Sequence, residues 1–182
     1  MKILIFIEGT ILMHLSGKNV SREERVRQSQ AAGIQREEKN IAYETNTKAP
    51  EVAKGSVYDL ASYIPINNVV KKLQSWVKQG AEICYLSSRR IKNELDTIKQ
   101  ILDKYHFPHT DNFYFRQQGE DYKDVAERLS PDILIEDDCE SIGGEVEMTY
   151  TNIKAELKEK IKHITIKEFE GIDYLSENIE NL

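Results

Sequence analysis

Three polar clusters in this 182-residue chain each follow an apolar run, and together they supply what a metal-dependent phosphate site requires. Glu8-Gly9-Thr10 follows Ile3-Leu-Ile-Phe-Ile7, and Ser87-Ser88-Arg89-Arg90 follows Ala81-Glu-Ile-Cys-Tyr-Leu86. Glu136-Asp137-Asp138 follows Asp132-Ile-Leu-Ile135. Carboxylates are hard oxygen ligands suited to Mg²⁺, and hydroxyl and backbone N–H groups bind phosphate oxygens. Glu8, Asp137 and Asp138 are therefore the candidate metal ligands. Thr10, Ser87, Ser88 and Arg89 are the candidates for gripping a phosphorylated substrate. Lys123, at the start of the helix leading into the Asp132–Ile135 run, can reach the same edge and neutralise a bound phosphate.

These residues converge only if the runs that carry them lie side by side. Five strand-like runs are expected, at 2–7, 81–86, 113–116, 132–135 and 163–169. Helical stripes lie between them: Val69, Val70, Leu73, Trp76 and Val77, closed by Gly80; Ile91, Leu95, Ile98, Leu102 and Tyr105; Val125, Ala126 and Leu129; and Ile153, Leu157 and Ile161. Strands alternating with helices require crossover connections and hence parallel pairing. The expected fold is α/β, a Rossmann-like three-layer sandwich around a mostly parallel five-stranded sheet. In such a sheet, ligands bind at the carboxyl ends of the strands.

Residues 13–64 interrupt this rhythm. Ser21-Arg-Glu-Glu24 is a capping-box pattern opening a polar helix expected to reach about Asn40, followed by a loop rich in Asn, Thr, Lys and Pro. An aromatic segment, Val57-Tyr-Asp-Leu-Ala-Ser-Tyr-Ile64, closes the excursion. With too few apolar residues for a core of its own, 13–64 reads either as a small cap-type insertion or as a solvated surface excursion. The α/β core is then 1–12 and 65–182. The last dozen residues, with Ile172, Leu175, Ile179 and Leu182, either dock as a helix or fray.

In order and placement, the acid-Gly-Thr, strand-then-Ser, Lys-on-a-helix and strand-then-Asp-Asp pieces resemble the motifs of the haloacid dehalogenase-like (HAD) phosphohydrolases. The resemblance implies a phosphate-monoester hydrolase scaffold with Mg²⁺ as cofactor. It implies Ser87 as the phosphate-binding hydroxyl, Lys123 as the phosphate-neutralising amine, and Asp137, with Asp138 beside it, as metal ligand. Glu8 falls where that family keeps its general acid/base, and its carbonyl would join the metal shell; Glu8 and Lys123 are thus the expected catalytic residues. One departure is large. The family's first motif is Asp-x-Asp-Gly-Thr, and here Phe6 occupies the place of the nucleophilic Asp. A carboxylate is needed to attack phosphorus covalently. Glu8 as nucleophile in a shifted register is one alternative; attack by a metal-bound water held by Asp137, Asp138 and Glu136 is another. The expectation is an HAD-like phosphatase-type protein with an atypical or impaired nucleophile position. The alternative is a non-catalytic HAD-like protein that binds a phosphorylated ligand or a protein partner.

Other chemistry is less well supplied. His106-Phe-Pro-His109 has no neighbouring Cys or His to complete a zinc site, whereas His14 follows the first cluster closely enough to face the crevice. Gly143-Gly144 lends the loop after the acidic trio freedom to wrap around a ligand. A net charge of −6 argues against nucleic acid as partner, and no apolar run is long enough for a membrane span. Cys84 and Cys139 lack C-x-x-C spacing and read as reduced thiols of a cytoplasmic protein. The expected partner is a small phosphorylated molecule; self-association into a homo-oligomer stays open.

Overall fold

A computed structural model describes residues 1–34, 52–56 and 58–182. The chain runs β1 (Lys2–Phe6), β2 (Leu12–His14), α1 (Arg22–Ala31), β3 (Tyr63–Pro65), α2 (Val69–Lys78) and β4 (Glu82–Ser87). It continues through α3 (Lys92–Lys104), β5 (Phe113–Phe115), α4 (Tyr122–Leu129), β6 (Ile133–Asp137), α5 (Ala155–Lys158) and β7 (Lys162–Ile166). Five strands form one all-parallel sheet in the order β5-β4-β1-β6-β7. From β1 the chain winds first to one side, through β4 and β5, and then to the other, through β6 and β7. The carboxyl end of β1 therefore lies at the point where the winding reverses, where a crevice opens between neighbouring loops.

Alternation along the strands divides the core in two. Ile3, Ile5, Ile83, Tyr85, Ile133 and Ile135 face α2, α3 and the C-terminal segment, whose Trp76, Ile98, Leu102 and Ile172 are fully buried. Leu4, Cys84, Leu86 and Leu134 face α4 and the stretch around Ile153 and Ile161. Both sides of the sheet are thus covered, and its strands read as nearly continuous apolar runs for that reason. Phe6 shares the parity of Leu4 and turns toward α4.

The insertion is tied in at its neck. Leu12–His14 and Tyr63–Pro65 pair as a two-stranded antiparallel ribbon at the edge of the core. Helix α1 begins as the capping pattern anticipates, with Ser21 Oγ accepting from the Glu24 amide at 3.3 Å. It stops at Ala31 rather than near Asn40, and Gly33 takes a left-handed φ of 68° just beyond its end. The remainder of the anticipated helix and the polar loop fall largely in 35–51, outside the described residues, as does Val57.

Three further expectations are adjusted. The stripe Ile153, Leu157, Ile161 yields only the four-residue α5, with Ile153 and Ile161 buried on either side of it. Strand β7 ends at Ile166, not at Phe169, which sits at a left-handed φ of 64°. The C-terminal segment docks without forming an α-helix: Ile172, Ile179 and Leu182 are buried, and Trp76 Nε1 donates to the Ser176 carbonyl at 3.0 Å.

Candidate functional site

Strand β6 carries its acids into the sheet itself. Glu136 and Asp137 are the last two strand residues, not the first two of a loop, and both are buried. Their side chains take opposite faces. Glu136, on the Leu134 side, accepts from the Thr149 and Tyr150 amides at 2.7 and 2.8 Å and meets His163 Nε2 at 3.0 Å. Both of its oxygens are thereby committed to holding the loop after β6, so Glu136 is an anchor.

Asp137 faces the crevice. Its Oδ2 accepts from Thr10 Oγ1 at 2.8 Å and its Oδ1 from the Cys139 amide at 3.0 Å. Asp137, Asp138 and Glu168 bring one oxygen each within 4.8 Å of one another, the group of potential metal ligands found among the described residues. Glu168 accepts from the amide and hydroxyl of Ser141 at 2.8 and 2.7 Å, and its own amide donates to Asp138 Oδ1 at 3.1 Å. Burial, followed by the Glu168 charge, pushes the Asp137 carboxyl up to about 7. Burial also raises Glu168, with Asp138 adding to it and the Ser141 hydrogen bonds opposing it. Such a desolvated oxygen cluster, countered by Arg22 at Asp138 and Glu168 alone, fits a divalent cation, which would supply further counter-charge.

The backbone around this cluster is strained and tightly apposed. Gly9 adopts φ +83°, and a Cβ there would stand 2.8 Å from Asp137 Oδ2, so only glycine lets the first turn approach the carboxylate. Cys139 and Phe169, flanking the acids, both hold left-handed φ values without being glycine. The Phe169 amide donates to the Gly9 carbonyl at 2.7 Å, joining the β7 end to the β1 turn.

Glu8 belongs to a different constellation from the three acids. Ser87 Oγ donates to its Oε1 at 2.7 Å and the Ser88 amide to its Oε2 at 2.8 Å. Arg89 lies beside them, its Nε and Nη2 donating to Ser88 Oγ at 2.9 and 2.8 Å. Burial works against charge on Arg89, but Glu8 foremost, with Tyr63 and Glu94, more than offsets it and raises its pKa.

A pocket of ≈150 Å³ joins the two constellations; Glu8, Ser88, Arg89, Asp137 and Glu168 line it, with Phe6 and Tyr122 in its wall. Phe6 meets Tyr122 edge-on, ring centroids 5.0 Å apart, and the Arg116 guanidinium sits over the Tyr122 ring at 4.1 Å. Thr10, Ser87, Asp138 and Lys123 do not line the pocket. Tyr122, Val125 and Ala126 are the α4 residues packed against the sheet, which turns Lys123 aside to where its charge acts on Glu127. His14 does line the pocket; its Nδ1 accepts from the Ser16 amide at 3.1 Å, and burial lowers its pKa, opposed by the Asp59 charge. His109 is structural, its Nδ1 accepting from the Ile83 amide at 3.2 Å. Arg90 is buried outside the lining.

Helix α1 lies against this edge. Arg22 Nε donates to the Glu168 carbonyl at 3.0 Å, Arg25 Nη1 to the Phe169 carbonyl at 2.9 Å, and Ser29 Oγ to Ser141 Oγ at 3.0 Å. Arg22 also pairs with Asp138 and Glu140. Sequence reasoning missed Glu168 because the apolar pattern carried the last strand through Phe169, hiding a carboxylate that stands past the strand end. The sequence signal is weaker than for the other acids, since Lys167 separates Glu168 from the Ile164-Thr-Ile166 end of the strand.

Comparison with protein-family models, with curated proteins and with solved structures returns no match for this chain. Fold and site together define a structural class, a Rossmann-like α/β sandwich with an acidic crevice at the carboxyl edge of its parallel sheet. Neither Cys84 nor Cys139 is in a disulfide, and no helix among the described residues is long and apolar enough to cross a membrane.

Proposed function

We propose that this chain is an HAD-like, phosphatase-type cytoplasmic protein whose edge pocket holds Mg²⁺ and a small phosphorylated molecule without forming a covalent phosphoenzyme. The observation that carries the reading is the Asp137–Asp138–Glu168 cluster at the carboxyl edge. These three residues would hold the cation, and a cation there supplies charge neutralisation to phosphate oxygens. Arg89 stands on the opposite side of the pocket and adds a second positive group toward an anionic ligand. Thr10 keeps Asp137 oriented, and Ser141 keeps Glu168 oriented.

Phe6 favours binding over covalent turnover. An apolar ring packed on Tyr122 has no lone pair to attack phosphorus, and Lys123 does not line the pocket. The test is thermal. A cation bound only by the folded state raises stability by mass action. Mg²⁺ is expected to raise the melting temperature of the wild type, and Asp137→Asn is expected to lose most of that rise. A wild-type melting temperature indifferent to Mg²⁺ would refute the reading. Incubation with phenyl phosphate and Mg²⁺ is expected to leave no phosphoryl group on the protein by intact mass.

A further inference from the structure

The turn after β4 holds a set of donors arranged around an anion, and the anion is the chain's own. Ser87 is fully buried, and its Oγ accepts from the Arg89 amide at 3.1 Å. That bond orients the hydroxyl proton toward Glu8 Oε1, 2.7 Å away. The Ser88 amide covers Oε2, and Arg89 adds positive charge beside it. Two charge-assisted hydrogen bonds and a neighbouring guanidinium make a cradle for a tetrahedral or planar oxyanion. Glu8 reaches it from the neighbouring strand β1.

We infer that the Ser87–Ser88–Arg89 turn is an oxyanion-binding cradle plugged by the Glu8 carboxylate, which a phosphoryl group must displace to bind there. The identity of the oxyanion rests on the phosphate reading proposed above; the plug itself rests on the hydrogen bonds. Side-chain length matters as much as charge. An aspartate at position 8 carries one methylene fewer and falls short of the Ser87 hydroxyl and the Ser88 amide from the same backbone. The plug therefore depends on glutamate at this position. Glu8 lines the pocket, so its side chain has space to swing into when it is displaced.

The experiment measures inorganic phosphate binding by calorimetry in the wild type and three variants. Glu8→Ala empties the cradle, Glu8→Asp keeps the charge but withdraws the reach, and Glu8→Gln keeps the reach but removes the charge. Phosphate is expected to bind Glu8→Ala about tenfold or more tighter than wild type, a difference of ~1.4 kcal/mol. Glu8→Asp is expected to gain as well, and Glu8→Gln to gain least, because its amide oxygen still accepts from Ser87 and Ser88. Adding Ser87→Ala to Glu8→Ala is expected to abolish the gain. The plug is overturned if Glu8→Ala and Glu8→Asp, folded by circular dichroism, bind phosphate no tighter than wild type. It is equally overturned if Glu8→Gln gains as much as Glu8→Ala while Glu8→Asp gains nothing, since that order reports charge alone. Mg²⁺-dependent melting of the same variants reads the metal cluster separately. A melting temperature indifferent to Mg²⁺ in the wild type and the Glu8 variants alike, with the phosphate gain intact, refutes the metal reading and leaves the cradle standing.

Discussion

Asp137 holds a proton at a pH where an exposed aspartate has released its own. Its folded value of about 7 lies above the ordinary 3.8, so between these the folded state binds a proton that the unfolded state has lost. Stability from this group is therefore complete below about pH 4 and declines as pH rises toward 7, the reverse of a salt-bridged carboxylate. Glu168, also raised, adds to the decline. With chelator present, the melting temperature is expected to fall over that window, after allowance for other groups by comparison with Asp137→Asn, whose profile is flatter. Mg²⁺ is expected to restore most of the loss near pH 7; a wild-type profile identical to that of Asp137→Asn would contradict the assignment. Glu136, one residue earlier, answers to a different physics. Replacing it with Ala leaves the buried Thr149 amide and its Tyr150 neighbour without their acceptor, a cost of about 2–4 kcal/mol by urea denaturation.

At the scale of elements, one helix decides which residues reach the site. In α4, Tyr122 occupies the sheet-facing position next to Phe6, and Lys123 is rotated off that face by the helical step. A sequence pattern reading only order along the chain gives Lys123 the edge position; the packing of Tyr122, Val125 and Ala126 gives it to an aromatic ring. Arg116, buried beside that ring, brings positive charge close to the same wall. On the opposite side of the sheet, Trp76 binds α2 to the C-terminal segment through its ring and its hydrogen bond to Ser176. Trp76→Ala is expected to cost about 3–5 kcal/mol and to make residues 172–182 susceptible to limited proteolysis. Survival of that segment in the variant would show that Ile172, Ile179 and Leu182 dock it unaided.

For the molecule as a whole, helix α1 is latched to the candidate site by hydrogen bonds. Arg22, Arg25 and Ser29 of α1 bond to Glu168, Phe169 and Ser141, all of them at the acidic edge. Arg25→Ala removes one latch without touching the sheet. Amide hydrogen exchange is expected to accelerate over 22–31 in this variant while the strands keep their protection. Uniform acceleration across the sheet would mean that α1 is part of the cooperative core.

The sequence by itself determined the layering and its chemistry at the strand ends. Apolar runs separated by helical stripes admit little other than a parallel sheet covered on both faces, because each buried strand needs a crossover and each helix an apolar face to hide. Glu8, Ser87 and Asp137 were legible as edge residues for the same reason: each ends a run that must be buried. What the tertiary structure decided was which of these groups touch. Glu8 joins Ser87 and Ser88 because β1 pairs with β4, and Asp137 and Asp138 meet Glu168 because β6 pairs with β7. Strand order is a long-range outcome of packing, and no local spacing in the chain encodes it. Side-chain parity at the end of β6 is as decisive, sending Glu136 to the Thr149 and Tyr150 amides and Asp137 to Thr10, since neighbouring residues of a strand face opposite sides.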